Sequence, residues 1–399
     1  MIISKQASLM VSALVSAGLL SACGGGGGGT ADPSTQLGSV HFTLTDAPAC
    51  GFDAVNVTVS KVRVNQSATA SDTDGGWTDV TLSPARKINL LTLTNGVLAD
   101  LGQTPLAAGH YTQTRLVLVG NTTAAPFANS VVPTGGAETT LDTPSAVQSG
   151  IKLNHEFDVA AGTLADFTLD FDACKSVVTR GNGSYGLKPV VTVIPTVVSG
   201  AINGVIGVVP ATSRPVVSAQ LNGVVIKSTV PDASGAFSLS PLAQTAAGAG
   251  YTVVVTANGY STDVVTGVPV TAKVNTVVST TGSPLVLSVS AMNNVSGTVL
   301  PITAQGTVRA IQTYAAATPT SVTVKYQAAD LVTGAYGMSL PTAAAMLGVY
   351  GSGTLPIVLA AQTSSAGNYG VEASAVGFAT QTAPVTITAG SVTTIFTLK

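Results

Sequence analysis

The sequence predicts an all-β protein, built as three β-sandwich-type domains in series behind an N-terminal leader. Three observations carry this reading. Val and Thr abound, turn residues recur roughly every ten positions, and sustained 3.6-residue periodicity is rare. Charged residues are only 9% of the 399, against about 25% in ordinary soluble chains. Thr, Ser, Asn and Gly therefore supply the polar surface. Mean hydropathy is +0.46, yet no apolar run of about 18 residues follows the leader, so no second membrane segment is expected. The best helical candidate is Ala343 to Leu347, and it is short.

Taken from the N-terminus, residues 1–22 read as a signal peptide. Lys5 supplies a positive start, and Ala7 to Leu20 is an apolar stretch of 14 residues (20 − 7 + 1). That is signal-peptide length and too short to span a bilayer. Leu20-Ser21-Ala22-Cys23 follows, with a glycine run from Gly24 to Gly29. This resembles the bacterial lipoprotein class, in which cleavage precedes the cysteine and its thiol takes a diacylglycerol. The alternative is an ordinary secretory signal with an incidental cysteine. Gly24, rather than aspartate, after Cys23 implies outer-membrane delivery by resemblance to enterobacterial sorting, on the periplasmic face or the cell surface. Residues 23–36 form a glycine-rich tether that would hold the folded part roughly 20 Å off the bilayer. The lipid bilayer, through acylated Cys23, is the first expected partner.

With Cys23 lipidated, two of the three cysteines remain, Cys50 and Cys174. In an exported chain such a pair points to a disulfide; two free buried thiols are the alternative. The closed loop would span 124 positions (174 − 50).

The first folded domain is expected over residues 37–197. Val40, Phe42 and Leu44 alternate with His41, Thr43 and Thr45, a half-buried strand. Val55, Val57 and Val59 share one phase, which jumps to Val62 and Val64 and predicts a bulge or a strand changing sheets. Thr73-Asp74-Gly75-Gly76 is a turn before Trp77, and Tyr111 to Val119 is a further strand. Phe167, Leu169 and Phe171 form an apolar face. Opposite them Asp166, Asp170 and Asp172 line one face within about 20 Å. That row is a weak Ca²⁺ candidate, since Ca²⁺ takes several carboxylate oxygens. The competing reading is an ionic network with cations such as Lys175, Lys152, Lys188 or Arg115.

Several stretches here resemble the domain-of-unknown-function family 4382, found in bacterial lipoproteins. They include Thr45-Asp46-Ala47-Pro48, Lys61-Val62-Arg63-Val64, Ala108-Gly109-His110-Tyr111-Thr112-Gln113, Ser149-Gly150-Ile151-Lys152-Leu153 and Asp170-Phe171-Asp172-Ala173-Cys174-Lys175-Ser176. The resemblance covers about 160 residues. It implies an exported β-rich domain and no reaction.

The rest is a tandem repeat, residues 198–291 and 292–399. Val198-Ser199-Gly200 echoes Val295-Ser296-Gly297, Gly235-Ala236-Phe237 echoes Gly334-Ala335-Tyr336, and Tyr251 with Gly259-Tyr260 echoes Tyr369 with Gly377-Phe378. The offset rises from 99 (334 − 235) to 118 (369 − 251), which places a loop insertion in the second copy around Ala343 to Leu359. Both copies resemble carboxypeptidase regulatory-like modules, which implies a transthyretin-like or carbohydrate-binding-like β-sandwich. Their aromatics read as core plugs at strand ends. Short connections near Thr196 and Met292 predict a semi-rigid rod.

No catalytic constellation emerges. His155-Glu156 opens like a zinc-protease motif, but Val159 stands where the second histidine belongs. Gly181-Asn182-Gly183-Ser184-Tyr185-Gly186 matches a dinucleotide fingerprint only formally and reads as a turn between strands. A net charge of −2 speaks against nucleic acid as partner. The expected function is a non-catalytic envelope lipoprotein that presents β-modules to an envelope protein or polysaccharide, with no cofactor. Carbohydrate binding through the C-terminal sandwiches is the alternative, which exposed aromatics would favour.

Overall fold

A computed structural model describes residues 37–46, 51–181, 183–314 and 320–399. The leader, Cys23 and Cys50 lie outside the described residues. The described residues are nearly all β, in seven sheets, in keeping with the composition.

In the first unit, strand Leu37–Asp46 lies parallel to Leu164–Phe171 and antiparallel to Ala99–Ala107, in a four-stranded sheet completed by Val191–Pro195. Against it packs an eight-stranded sheet organised on the 14-residue strand Phe52–Asn65. That strand pairs with Ser130–Pro133 at one end, and with Thr78–Asn89 and Gln113–Leu118 along its sides. The expected bulge falls between Val59 and Lys61. One extra residue resets the alternation, so Val55, Val57, Val59, Val62 and Val64 all point into one core at 0% exposure. The strands Val177–Arg180 and Ser184–Leu187 form a hairpin across Gly183.

Fully buried Arg115 holds the loop that follows this long strand. Its guanidinium donates to the carbonyls of Ala70 and Ser149 and to Gln113 Oε1. Trp77 stacks against both Arg115 and Arg63, at 4.6 and 4.5 Å. The charge is carried by carbonyl dipoles and a π-face rather than by a carboxylate.

The second and third units repeat one plan. Each has a three-stranded sheet, Ala236–Ala243/Ser199–Val205/Asn275–Val277 and Ala335–Pro341/Met292–Leu300/Val392–Thr397, facing a larger one. The shared glycines have a shared cause. A Cβ on Gly200 would overlap the carbonyl oxygen of Thr271, and one on Gly297 that of Thr394. Gly235 and Gly334 both take positive φ, 83° and 68°, against the carbonyls of Ile206 and Val299. Gly297→Ala should therefore cost at least ~2 kcal/mol in urea unfolding, because backbone must move. Gly337→Ala, whose Cβ meets nothing within 4 Å, is the control and should be near neutral.

The segment Ala343 to Leu347 is not helical, and the insertion forms two strands joined by a loop. Ala345–Val349 is a strand parallel to Asp263–Val268 of the second unit, with Ala360–Gln362 paired beyond it. The third unit thus lends a hairpin that extends the second unit's sheet to six strands. The open edge offered backbone partners, which outweighed alanine's modest helical preference. Nor is the molecule a rod. Lys188 Nζ donates to Gln305 O at 2.9 Å, and Leu331 N donates to Thr179 O at 3.1 Å, so the first unit touches the third directly. Gln220 exchanges two hydrogen bonds with the backbone of Thr323, each 2.8 Å, tying second to third.

Candidate functional site

Where the three units meet, their polar side chains form one buried knot. Its origin is the parallel pairing of Leu37–Asp46 with Leu164–Phe171, which puts Thr45 opposite Asp170 and Asp46 opposite Phe171. Parallel strands end at the same edge of a sheet, so Asp46 and Asp170 end close together. The chain then turns at Asp172, whose Oδ1 accepts from Lys175 N at 2.9 Å and caps the short helix Ala173–Ser176. Ala173 N donates to Asp46 Oδ1 at 2.9 Å.

Each C-terminal unit adds one group. Lys227, on strand Val224–Thr229 of the second unit, has a side chain only 1% exposed. Its Nζ lies 2.5 Å from Asp170 Oδ1 and 3.2 Å from Asp46 O. Tyr326, on Thr320–Ala328 of the third unit, sets its hydroxyl 3.3 Å from both Asp172 oxygens. Lys175 pairs with Asp172 at 2.8 Å and lies 4.8 Å over the Tyr326 ring.

Burial pushes Asp46 well above the usual carboxylate range, and its Oδ2 has no hydrogen-bond partner. A protonated Asp46 leaves two carboxylates, Asp170 and Asp172, against two ammonium groups, Lys175 and Lys227. Burial also raises Asp170, with Lys227 opposing, and raises Tyr326, with Asp172 adding to it. Apart from Asp46 Oδ2, these groups are spent on one another. The knot fastens three units and offers no accessible base or nucleophile.

The three aspartates of the calcium candidate are turned to separate partners. Asp166 is turned to His41 at 2.7 Å, Asp170 to Lys227 and Asp172 to Lys175. Among the described residues no three His, Cys, Asp or Glu side chains converge on one point. Asp172 lies past the strand end, so the alternation that put it in the row does not apply there. Of the cations weighed for an ionic network, Lys175 takes part. Arg115, Lys152 and Lys188 do not, and Lys227 comes from another unit.

The three histidines stay apart. Burial pulls His41 down, but its hydrogen bonds to the Asp166 and Asp100 carboxylates outweigh it and leave the imidazole raised. His110 is raised by Asp158, at 2.9 Å. His155 is lowered by burial, stacks on Phe157 and meets Phe167 edge-on. Cys174 sits in the short helix beside the knot and is not without a partner.

A second buried carboxylate contrasts with the knot. Asp263 begins the strand that receives the hairpin, opposite Met346. Neither of its oxygens has a hydrogen-bond partner, nor do Ser261 Oγ and Thr262 Oγ1 beside it. Burial alone raises it to about 7.

Most aromatics of the repeat are core, while Tyr260, Tyr326, Tyr350 and Phe378 are only half-buried. Tyr251, Tyr314, Tyr336, Tyr369, Phe237 and Phe396 are all buried. The hydroxyls of Tyr251, Tyr336 and Tyr369 donate to the carbonyls of Ala243, Thr394 and Pro341. Clefts among the described residues include the following pair. One of about 470 Å³ lies between the first and second units, beside Phe52, Ile206, Arg214 and Asp232. The other, about 420 Å³, is polar, beside Gln113, Lys152, Asn154 and Glu156.

No curated protein matches the chain. Among solved structures it is similar to a streptococcal ancillary pilin at 10% identity, covering 91% of this chain and 99% of that one, with a TM-score of 0.18. It is similar at 12% identity to two B repeat units of the collagen binding protein of Staphylococcus aureus, with the same coverages and a TM-score of 0.17. A chain of a cohesin–X-dockerin complex from Acetivibrio cellulolyticus is 26% identical over 23% of this chain and 58% of its own length, with a TM-score of 0.18. Such scores show no shared arrangement and no shared role. The motifs of the first unit fare better: residues 37–189 match the family model described as a domain of unknown function, DUF4382.

Proposed function

We propose that the protein is a non-catalytic lipoprotein of the cell envelope, anchored through Cys23, that presents three interlocked β-units to an envelope partner. The observation that carries this reading is the knot. It spends Asp46, Asp170, Asp172, Lys175, Lys227 and Tyr326 on joining the units, so the chain's scarce charges go into cohesion. Outer-membrane placement and the likeness of the second and third units to carboxypeptidase regulatory-like modules belong to the same reading. The buried aromatics argue against a sugar platform.

The anchor is tested by labelling the full chain with a clickable fatty acid in a bacterial host. Label should reach the wild type and be lost in Cys23→Ala; equal labelling of both would refute the anchor.

A Cys50–Cys174 disulfide completes the proposal. Cys174 is not without a partner, and an exported domain has the oxidising surroundings such a bond needs. Closing so long a loop stabilises by at most about 5 kcal/mol. Peptide mapping without reductant should recover the two cysteines in one linked fragment; two free thiols would overturn the pairing.

A further inference from the structure

We propose that the polar cleft beside Lys152 binds an acidic sugar, with its carboxylate on the Lys152 ammonium and its hydroxyls on Asn154 and Glu156. Two stretches that stand out in the sequence meet there, Ala108 to Gln113 and Ser149 to Leu153, and the knot uses neither. Strand Ile151–Leu153 pairs with Gln113–Leu118, so Thr112 and Gln113 line the cleft together with Lys152 and Leu153.

A row of like charges leads to the cleft. Asp79, Arg63, Arg115 and Lys152 stand directly opposite one another on four successive antiparallel strands. Residues so placed share one face of a sheet, and like charges there are destabilising. The row holds three cations and one carboxylate, and Asp79 is already shared between Lys61 and Arg63. Burial, and then the like charge of Arg63, lower the Arg115 guanidinium, with Asp72 opposing. Arg115 spends its donors on carbonyls and on Gln113. Lys152 ends the row and spends nothing: its ammonium has no ion pair or hydrogen bond among the described residues. An anion bound at Lys152 would relieve the crowding of positive charge.

The other groups in the cleft select the kind of anion. Gln113 is a fixed wall: its amide donates to Ser67 O at 2.8 Å and Ala70 O at 3.1 Å, and its Oε1 accepts from Arg115. The Asn154 amide and the His155 ring nitrogens have no hydrogen-bond partner among the described residues. Burial favours the neutral form of that imidazole. Glu156 Oε2 is held only by His110 Nε2, at 3.4 Å. A phosphate asks for several converging donors, whereas here one ammonium shares the cleft with a carboxylate. That set suits a ligand with a single negative charge and neutral hydroxyls around it. A volume of about 420 Å³ takes a small ligand of this kind.

The test is titration calorimetry on the full chain in detergent, with short oligomers of glucuronate, galacturonate and mannuronate. At least one should bind, its methyl ester should not, and acetate should bind far more weakly. Lys152→Gln should weaken binding about tenfold, the worth of one charge-assisted hydrogen bond. Its melting temperature should be unchanged or raised, because Lys152 is exposed and stands opposite Arg115. Asn154→Ala should weaken binding and keep the preference for the acid over its ester. No heat with any of the three oligomers, equal binding of the methyl ester, acetate binding as tight as the oligomer, or full affinity in Lys152→Gln would each overturn the proposal. The readout depends neither on lipid at Cys23 nor on the knot.

Discussion

Lys227→Met is expected to loosen the whole molecule, not one strand. The change removes the ammonium that faces Asp170 at 2.5 Å and the Asp46 carbonyl at 3.2 Å. An uncompensated buried carboxylate costs about 3–5 kcal/mol. The loss falls at the junction, so calorimetry should show the first unit melting apart from the other two in place of one joint transition. Replacing both partners, Lys227→Met with Asp170→Leu, should recover most of the stability, since apolar pairs substitute well for buried ion pairs. A single-variant loss under about 1 kcal/mol would mean that the junction is not fastened by this pair.

The second large effect concerns pH. Asp263 ionises at about 7 in the folded chain, against 3.8 for the free side chain. Below about 4 both states hold the proton. Between about 4 and 7 only the folded state holds it, so stability falls as pH rises, by about 1.4 kcal/mol per unit. Above 7 the contribution is flat. The total is on the order of 4 kcal/mol. Asp263→Asn keeps the neutral shape and removes the slope. The variant should match the wild type near pH 4 and exceed it at pH 8 in urea unfolding. A difference between the two that does not change with pH would show that Asp263 is not held neutral.

Much of the fold was legible because β-structure writes its period locally. The phase jump between Val59 and Val62 foretold the bulge. The echoes Gly200/Gly297 and Gly235/Gly334 foretold the repeat, since each pair answers the same close approach of a carbonyl. The candidate site was only half legible. Asp170 and Asp172 stood out by spacing, but spacing could not say that Asp172 leaves the strand to cap a helix. Asp46 stood out only as part of the Thr45-Asp46-Ala47-Pro48 motif. Lys227 and Tyr326 gave no sign, because a lone lysine or tyrosine on a strand carries no mark of the unit it will face. The stretch Ala343 to Leu347 misled for the same reason: alanine prefers helix until a neighbouring sheet offers an open edge.

Local pattern by itself pointed to the all-β class, a first β-rich domain, the tandem repeat and a lipobox-like leader, because alternation, turn residues and short motifs act within a few positions. Tertiary structure alone decided that the three units close on one another, that the insertion serves the preceding unit, and that the aspartate row is divided among His41, Lys227 and Lys175. Apart from the local pair of Asp172 with Lys175, those outcomes depend on groups more than 50 residues apart being brought together.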